Sequence, residues 1–416
     1  MVQLSNDCFA SSSAMMAIED AIALATSRLP VLVAIETVSL DRADGRIAAE
    51  DIFARNDLPP FANSAVDGYA VRHADLAEGA ETTLPIAGRL KAGETETISA
   101  AKRAVRIFTG APMPWDADTV FMQEDVHVDG GTVCLPAGLK AGANMRPPGE
   151  DIAEFERIIP AGRRLRPQDI ALAAATGHKY LPVRRPLRVA VFSTGDELIK
   201  PGSRLKPGTI YDSNRVMLIA LLGRLGAHVR NFGILPDDAK VLKTRLSEVA
   251  EDNDLILTSG GVSLGEEDHV RSAIEATGQL VFWRLAIKPG RPLAMGMVNG
   301  TPLVGLPGNP AAVYVTFVNF VRPLIAHLSG AVLDPIEPLL VRSAFAQKKR
   351  PGRREYVRVN VSQAADGVLE ARRFPKEGAA LLTSLTTSDG IAEIADDVTA
   401  VAVGDMINFF PHAVFW

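Results

Sequence analysis

The chain has 416 residues, too many for one compact core; at roughly 100–200 residues per domain, two to four units are expected. Hydrophobic residues make up 47% and charged residues 22%, which excludes a disordered chain and provides for real cores. A net charge of −5, from 44 basic and 49 acidic residues, argues against a general nucleic-acid binder, which needs a basic face.

The two cysteines, Cys8 and Cys134, form neither a Cys-x-x-Cys pair nor a disulfide framework, so a reducing, cytoplasmic setting is expected. The longest apolar runs, Val216–Leu222 and Ala311–Val318, fall short of the ~18 residues of a membrane span. The N-terminus lacks a basic segment, and Asp7, Glu19 and Asp20 interrupt any signal-like stretch. No membrane partner is expected.

In chain order, the first ten or so residues and Ser11–Ser13 read as a loose start. Met15, Ile18, Ile22 and Ala25 recur at helical spacing and predict a helix over 14–28, with acids early and Arg28 late. Residues 31–38 are strand-like, and a helical stub is expected around 41–50. From 51 to 143 the texture is short strands and turns. Val105–Phe108 and Thr119–Met122 are strand candidates, and Val126–Leu135 reads as a hairpin around Asp129-Gly130-Gly131. Pro167-Gln168-Asp169 opens a helix over 168–176 that Gly177 closes.

Residues 187–330 change character. Strand-like runs at Leu187–Phe192, Val229–Ile234, Leu255–Thr258, Leu280–Ile287 and Leu303–Leu306 alternate with helical segments at 214–225, 237–250, 267–277 and 310–328. That rhythm means a mainly parallel sheet with both faces covered. After Gly330 only short β runs follow (Leu339–Val341, Glu355–Val361, Met406–Phe410), so a small β domain closes the chain.

Three loops leave the carboxyl ends of strands in this α/β unit, the edge where such sheets bind ligands. They are Ser193-Thr194-Gly195-Asp196-Glu197; Ser259-Gly260-Gly261-Val262-Ser263, running on to Asp268; and Leu306-Pro307-Gly308-Asn309-Pro310. Asn309 can cap a helix starting at Pro310, with Gly308 admitting a ligand to the backbone. Ser259-Gly260-Gly261 can form an anion-binding nest. Each loop alone also fits an ordinary strand-to-helix turn. Neither a P-loop nor a G-x-G-x-x-G is present.

Glu197, Asp237 and Asp268 each follow a different strand, and carboxylates beside phosphate loops commonly hold Mg²⁺. The plain alternative is that Asp237 and Asp268 sit in first turns of helices. Lys288-Pro289-Gly290-Arg291-Pro292 presents two cations on a stiff loop, suited to an oxyanion or, more plainly, a solvated basic turn. No histidine pair has zinc-ligand spacing, His269 alone lying near the rim, and G-x-S-x-G is absent, which disfavours zinc and serine chemistry.

An ordered series of motifs runs along nearly the whole chain. It comprises Asn63–Ala70, Thr109–Pro112, Gly149–Ile152, Ser193–Leu198, Ile210–Arg215, Ser259–Asp268, Ala286–Pro292 and Leu306–Pro310. In this series the chain resembles the molybdopterin molybdenumtransferase family, bacterial MoeA and the E domain of gephyrin. The resemblance implies a multidomain α/β plus β protein. Its parts would be a discontinuous N-terminal/linker domain (1–50 and 144–186), an inserted β domain (51–143), a MogA-like molybdopterin-binding α/β domain (187–330) and a C-terminal β domain (331–416).

It also implies an elongated homodimer that inserts molybdate into adenylylated molybdopterin, releasing AMP with Mg²⁺ assistance. Adenylyl transfer from ATP to molybdopterin, or a gephyrin-like scaffold, are the alternative activities. By this resemblance Glu197, Asp237 and Asp268 are active-site and metal-binding acids and Lys288 a basic partner. Asp67, Thr109 and Asp151 reach the cleft from the second domain and linker, across the dimer. Thr194, Gly195, Ser259, Gly260, Gly261, Arg291, Pro307, Gly308, Asn309 and Pro310 bind substrate. The molybdopterin adenylyltransferase and molybdoenzymes are implied as further partners. Ala62, Val66 and Pro147-Pro148 depart from residues found in relatives.

Overall fold

The computed structural model describes residues 15–236, 238–261 and 278–416. The expected helix over 267–277, Cys8, Asp237, Asp268 and His269 therefore lie outside the described residues.

Helix α1 (Ile18–Arg28) buries Ile18, Ala21 and Ala25, a three- and four-residue stripe, not against its sequence neighbours but in the core of the large α/β sheet. Strand β1 (Ile35–Ser39) then begins a small sheet. The stub expected around 41–50 is not helical. A single 3₁₀ turn at Leu40–Arg42 runs into Gly45 at φ +71°, and Ile47–Ala48 is already a strand. Its partner arrives much later in the chain, when β8 (Tyr180–Arg184) pairs with both β1 and Ile47–Ala48.

Between them lies a six-stranded sheet. It contains β2 (Gly68–Val71), β3 (Thr82–Leu90), β4 (Ala104–Ile107), β5 (Thr119–Met122), β6 (His127–Asp129) and β7 (Thr132–Leu135), in the order β5-β2-β4-β3-β7-β6. Both strand candidates and the hairpin fall where their composition placed them. Helix α2 (Pro167–Ala175) starts on proline and stops before Gly177 at φ +91°.

The α/β unit contains β9 (Arg188–Thr194), α3 (Ser213–Arg224), β10 (His228–Leu235), α4 (Ala239–Glu251), β11 (Leu255–Ser259), β12 (Gly278–Arg284), β13 (Ile287–Lys288), β14 (Pro292–Val298) and β15 (Thr301–Leu306). Its sheet runs β10-β9-β11-β15-β14-β12; the first three pairings are parallel and the last two antiparallel. It is mainly parallel, as expected. Side-chain alternation divides the core: Val189, Val191, Leu257 and Val304 face α1, α3 and the final helix, while Ala190, Phe192, Ile256 and Leu303 face Leu242 and Leu246 of α4.

Strand β14 was not foreseen, because a starting proline and the small residues Ala294 and Gly296 mimic a loop. The single strand expected over Leu280–Ile287 is two: β12 ends at Arg284, and β13 joins a different sheet.

The last helix of the unit is continuous from Pro310 to Leu328, as α5 (Pro310–Thr316), a π-helical turn at Phe317–Val321 and α6 (Arg322–Leu328). Pro323, lacking an N–H, follows directly on the π turn. With 19 residues this helix has the length and apolarity of a membrane span, which its separate apolar runs did not suggest, yet 78% of its apolar window is buried inside the protein.

The C-terminal sheet comprises β16 (Leu339–Ser343), β17 (Arg354–Gln363), β18 (Leu369–Arg373), β19 (Gly390–Ile394) and β20 (Met406–Pro411). It closes on itself because β19 pairs with both β20 and β17. Strand β13 adds to its edge in parallel, with Lys288 opposite Glu355.

Candidate active site

The three loops singled out from sequence do share one rim. Strands β9, β11 and β15 are adjacent, with Ser193 opposite Ser259 and Ser259 opposite Leu306. Gly260 N–H donates to the Leu306 carbonyl at 3.2 Å, and Ser259 Oγ to the Pro307 carbonyl at 3.0 Å. Gly260 has φ +92°, and a Cβ there would lie 2.4 Å from the Thr194 carbonyl oxygen, so the first two loops meet through a position only glycine can fill. At Gly195, φ is +147° and a Cβ would lie 2.6 Å from a Glu197 carboxylate oxygen; the exposed Glu197 side chain folds back over its own loop.

Three residues that sequence reasoning did not assign to the site hold it together. Asp212 caps α3, accepting from Arg215 N–H at 3.2 Å and Arg215 Nε at 2.7 Å, and takes the Ser193 hydroxyl proton at 3.0 Å. Asn214 Nδ2 donates to Ser259 Oγ at 2.9 Å and the Gly308 carbonyl at 2.7 Å. The signal was present in Asp212-Ser213-Asn214-Arg215, a helix-capping sequence whose buried members need partners. The buried Thr194 Oγ1 and Asn214 Oδ1 have none among the described residues. Polar atoms left over at a ligand rim are available to a substrate.

The third loop differs from expectation in detail. Asn309 occupies the cap position before Pro310, but its side chain makes no cap bond and lines a cavity instead. Ala311 N–H at this helix start is already taken by the Ala379 carbonyl at 2.9 Å. Gly308 is exposed, and a Cβ there would meet nothing within 4 Å, so no protein neighbour among the described residues requires glycine at this position.

That cavity, about 300 Å³, opens between Pro307, Asn309 and the basic loop on one side and the C-terminal sheet on the other. Lys288, Arg291, Arg358, Arg373 and Lys376 line it against Glu355 and Glu377. Glu355 is buried and holds Lys288 Nζ at 3.3 Å, Arg353 at 2.8 Å and Gln347 Nε2 at 2.7 Å. Gly290, at φ +111°, packs against Thr316 of α5 and fixes the loop between the two units. Arg358 donates to Ser384 Oγ at 3.1 Å and the Gly378 carbonyl at 2.9 Å. Burial, then its neighbour Arg373, pulls its pKa below the usual arginine value. Arg291 is exposed, and no carboxylate pairs with it among the described residues. The cavity therefore offers cationic donors in excess of its acids, suited to an oxyanion.

Asp67 and Thr109 come together elsewhere, and Asp151 is placed separately. Asp67 Oδ1 accepts from Thr109 N–H at 2.8 Å and Thr109 Oγ1 at 2.7 Å, and these bonds hold its pKa below the usual carboxylate value. Asn63 pairs with Arg146 and Pro112, and Asp151 N–H donates to the Leu58 carbonyl. The Asn63–Ala70 and Thr109–Pro112 motifs thus meet, through Asp67 with Thr109 and Asn63 with Pro112. Among the described residues no hydrogen bond or ion pair joins Asp67, Thr109 or Asp151 to the rim.

Of the three acids expected to hold a metal, Glu197 is at the rim, while Asp237 and Asp268 lie outside the described residues. Among the described residues no three His, Cys, Asp or Glu side chains cluster closely enough to hold an ion. The Glu197 carboxylate is exposed and held by no hydrogen bond among them, which fits an oxygen ligand for a hard cation.

A covered, mainly parallel sheet whose hydroxyl- and glycine-bearing rim adjoins a cationic cavity is the layout of an anion-handling α/β protein. Three family profiles match the chain in succession. They are the MoeA N-terminal region (domains I and II) at 16–177, a probable molybdopterin binding domain at 190–327 and the MoeA C-terminal region (domain IV) at 341–411. A Haemophilus influenzae protein named molybdopterin molybdenumtransferase is 36% identical over 400 residues, covering 95% of this chain and 98% of that one. The Mycobacterium tuberculosis molybdopterin molybdenumtransferase 2 is 35% identical over 385 residues, 89% and 94% of the two chains. The crystal structure of the molybdopterin biosynthesis MoeA protein from Pyrococcus horikoshii OT3 matches with a TM-score of 0.81 at 28% identity, covering 95% and 100%. The chain belongs to the MoeA family.

Proposed function

We propose that this chain is a molybdopterin molybdenumtransferase that inserts molybdate into adenylylated molybdopterin, releasing AMP. The observation that carries the reading, beside the family match, is the cation-lined cavity adjoining the rim of β9, β11 and β15. Water opens the phosphoanhydride and AMP departs; the two dithiolene sulfurs then bind molybdenum in place of one molybdate oxygen, which leaves as water with the two thiol protons. The Thr194 hydroxyl and the Gly261 N–H donate to phosphate oxygens, while Ser259 and Gly260, whose hydrogens are given to Pro307 and Leu306, hold the adjoining loops in place. Lys288 and Arg291 hold the oxyanion, with Arg358 fixed behind them. Glu197, with Asp237 and Asp268, would hold a Mg²⁺ ion, which when bound neutralises charge on the phosphate oxygens.

The separation of Asp67, Thr109 and Asp151 from the rim supports a homodimer in which a second copy supplies them. A cytoplasmic location accords with the chain's two cysteines. The test is to incubate the purified protein with adenylylated molybdopterin and molybdate, with and without Mg²⁺, and to follow AMP and molybdenum cofactor. No AMP release and no cofactor would overturn the proposal. A companion incubation with ATP and molybdopterin alone that yields adenylylated product would transfer the assignment to adenylyl transfer.

A further inference from the structure

A second cavity, about 290 Å³, lies at the other end of the α/β sheet, where Leu187 and Ala227 lead into β9 and β10. Strand β9 has seven residues, so this cavity is roughly 20 Å from the rim. Its walls come from the small sheet and from the α/β unit, and five of its lining residues are arginines: Arg46, Arg164, Arg184, Arg185 and Arg224.

Two of these are compensated. Arg185 makes a bidentate pair with Asp254 at 2.7 and 2.8 Å, and Arg46 pairs with Glu36 and donates to the Arg184 carbonyl. The other three have no carboxylate partner among the described residues. Arg164 Nη1 donates only to the Gly45 carbonyl at 2.8 Å, and burial lowers its pKa. Arg184 Nη1 reaches the Val33 carbonyl at 3.3 Å, while its buried Nε has no acceptor. Arg224 is exposed and stacks over Trp416 at 5.5 Å.

Against them stand exposed Asp44 and the carboxyl ends of α3 and α6. The last α3 carbonyls are satisfied by their own chain, from Leu225, Gly226 and Ala227 N–H. Each helix end contributes only about half a negative charge, so a cationic excess remains. Desolvated guanidinium groups with an orphaned donor call for an acceptor, and a planar fork of this kind matches phosphate.

We propose that this cavity is a second anion site, binding a small phosphate-bearing ligand distinct from the substrate at the rim. At about 290 Å³ it takes a phosphate and a modest appendage rather than a large cofactor. The proposal stands apart from the reading of the rim.

The experiment is calorimetric titration of the full chain with inorganic phosphate, and separately with AMP. It uses wild type and a Lys288→Ala/Arg291→Ala variant that silences the rim cavity. The silenced variant should keep one phosphate site, and adding Arg224→Glu should weaken it at least tenfold. Arg184→Gln should do the same. Arg224 is exposed, so its variant tests the site without threatening the fold, and Arg224→Lys should restore part of the affinity. AMP competing with phosphate would assign a nucleotide ligand and AMP failing to compete a free oxyanion; either supports the site. No phosphate binding by the silenced variant, or binding unmoved by Arg224→Glu and Arg184→Gln in chains with native circular dichroism, would overturn it. Cofactor formation by wild type is a separate measurement, so failure of the rim assignment is told apart from failure here.

Discussion

Gly260 and Gly308 lie on adjacent loops of the rim, yet the structure sets them far apart in consequence. Gly260→Ala must place a methyl 2.4 Å from the Thr194 carbonyl oxygen while holding φ near +92°. The left-handed region costs an L-residue about 1–2 kcal/mol, and overpacking against backbone adds about 1–3 kcal/mol. A loss of about 3 kcal/mol is expected, with Thr194 displaced and cofactor formation reduced at least tenfold. Gly308→Ala meets open space and should stay within about 0.5 kcal/mol. Urea unfolding followed by tryptophan fluorescence reads the relevant unit, because Trp283 lies in β12 and Trp416 packs 6.5 Å from Phe317 in the unit's core helix. Exposed Trp115 contributes a steady background. Equal effects of the two substitutions on midpoint and activity would refute the claim that Gly260 is fixed by contact with β9.

Lys288→Ala should lower molybdenum insertion by one to two orders of magnitude, and Lys288→Arg should recover only part of it because a bulky planar fork presents its charge in a different geometry from the compact ammonium beside Glu355; equal turnover in all three chains would leave the loop without a role. His412 is partly buried, bonded to the Tyr314 hydroxyl at 2.7 Å and to Ser388 Oγ at 3.3 Å, and burial lowers its pKa although Asp389 opposes this. The unfolded chain then binds more protons below about pH 6.5, so stability should fall with pH from there, and His412→Gln should flatten that limb of a pH–melting curve. Co-expressed Asp67→Ala and Glu197→Gln chains, each inactive alone, should regain activity as a heterodimer; purified heterodimers without activity would count against a site shared between subunits.

What could be read from sequence was whatever a short window contains. The β-branched runs of β9, β11 and β15 and the glycines after them announce buried parallel strands and their loops, and the fold brings those loops to one rim. The expected cap at Asn309 failed because local sequence cannot show that Ala379, in the loop between β18 and β19, reaches across to take Ala311 N–H. The role of Asn214 was hidden for the same reason, since its partners Ser259 and Gly308 lie 45 and 94 residues away. Residues 41–50 look amphipathic over ten positions, yet Ile47–Ala48 takes its conformation from β8, a strand whose pairing no local pattern encodes.

The cavity beside the rim shows why the C-terminal sheet is part of the candidate site rather than an appendage. Strand β13 leaves the α/β unit to pair with β17, which sets Lys288 opposite Glu355. The same sheet supplies Arg358 and Arg373 to the cavity wall, and His412 near its end bonds Tyr314 on the helix that begins at Pro310. Three separate links, backbone pairing, an ion pair between exposed Lys288 and buried Glu355, and a side-chain hydrogen bond, thus fix the cationic wall against the rim. Long basic side chains lose considerable entropy when held in one geometry. A buried carboxylate and a paired strand hold Lys288 before any ligand arrives, so an oxyanion meets donors already in place.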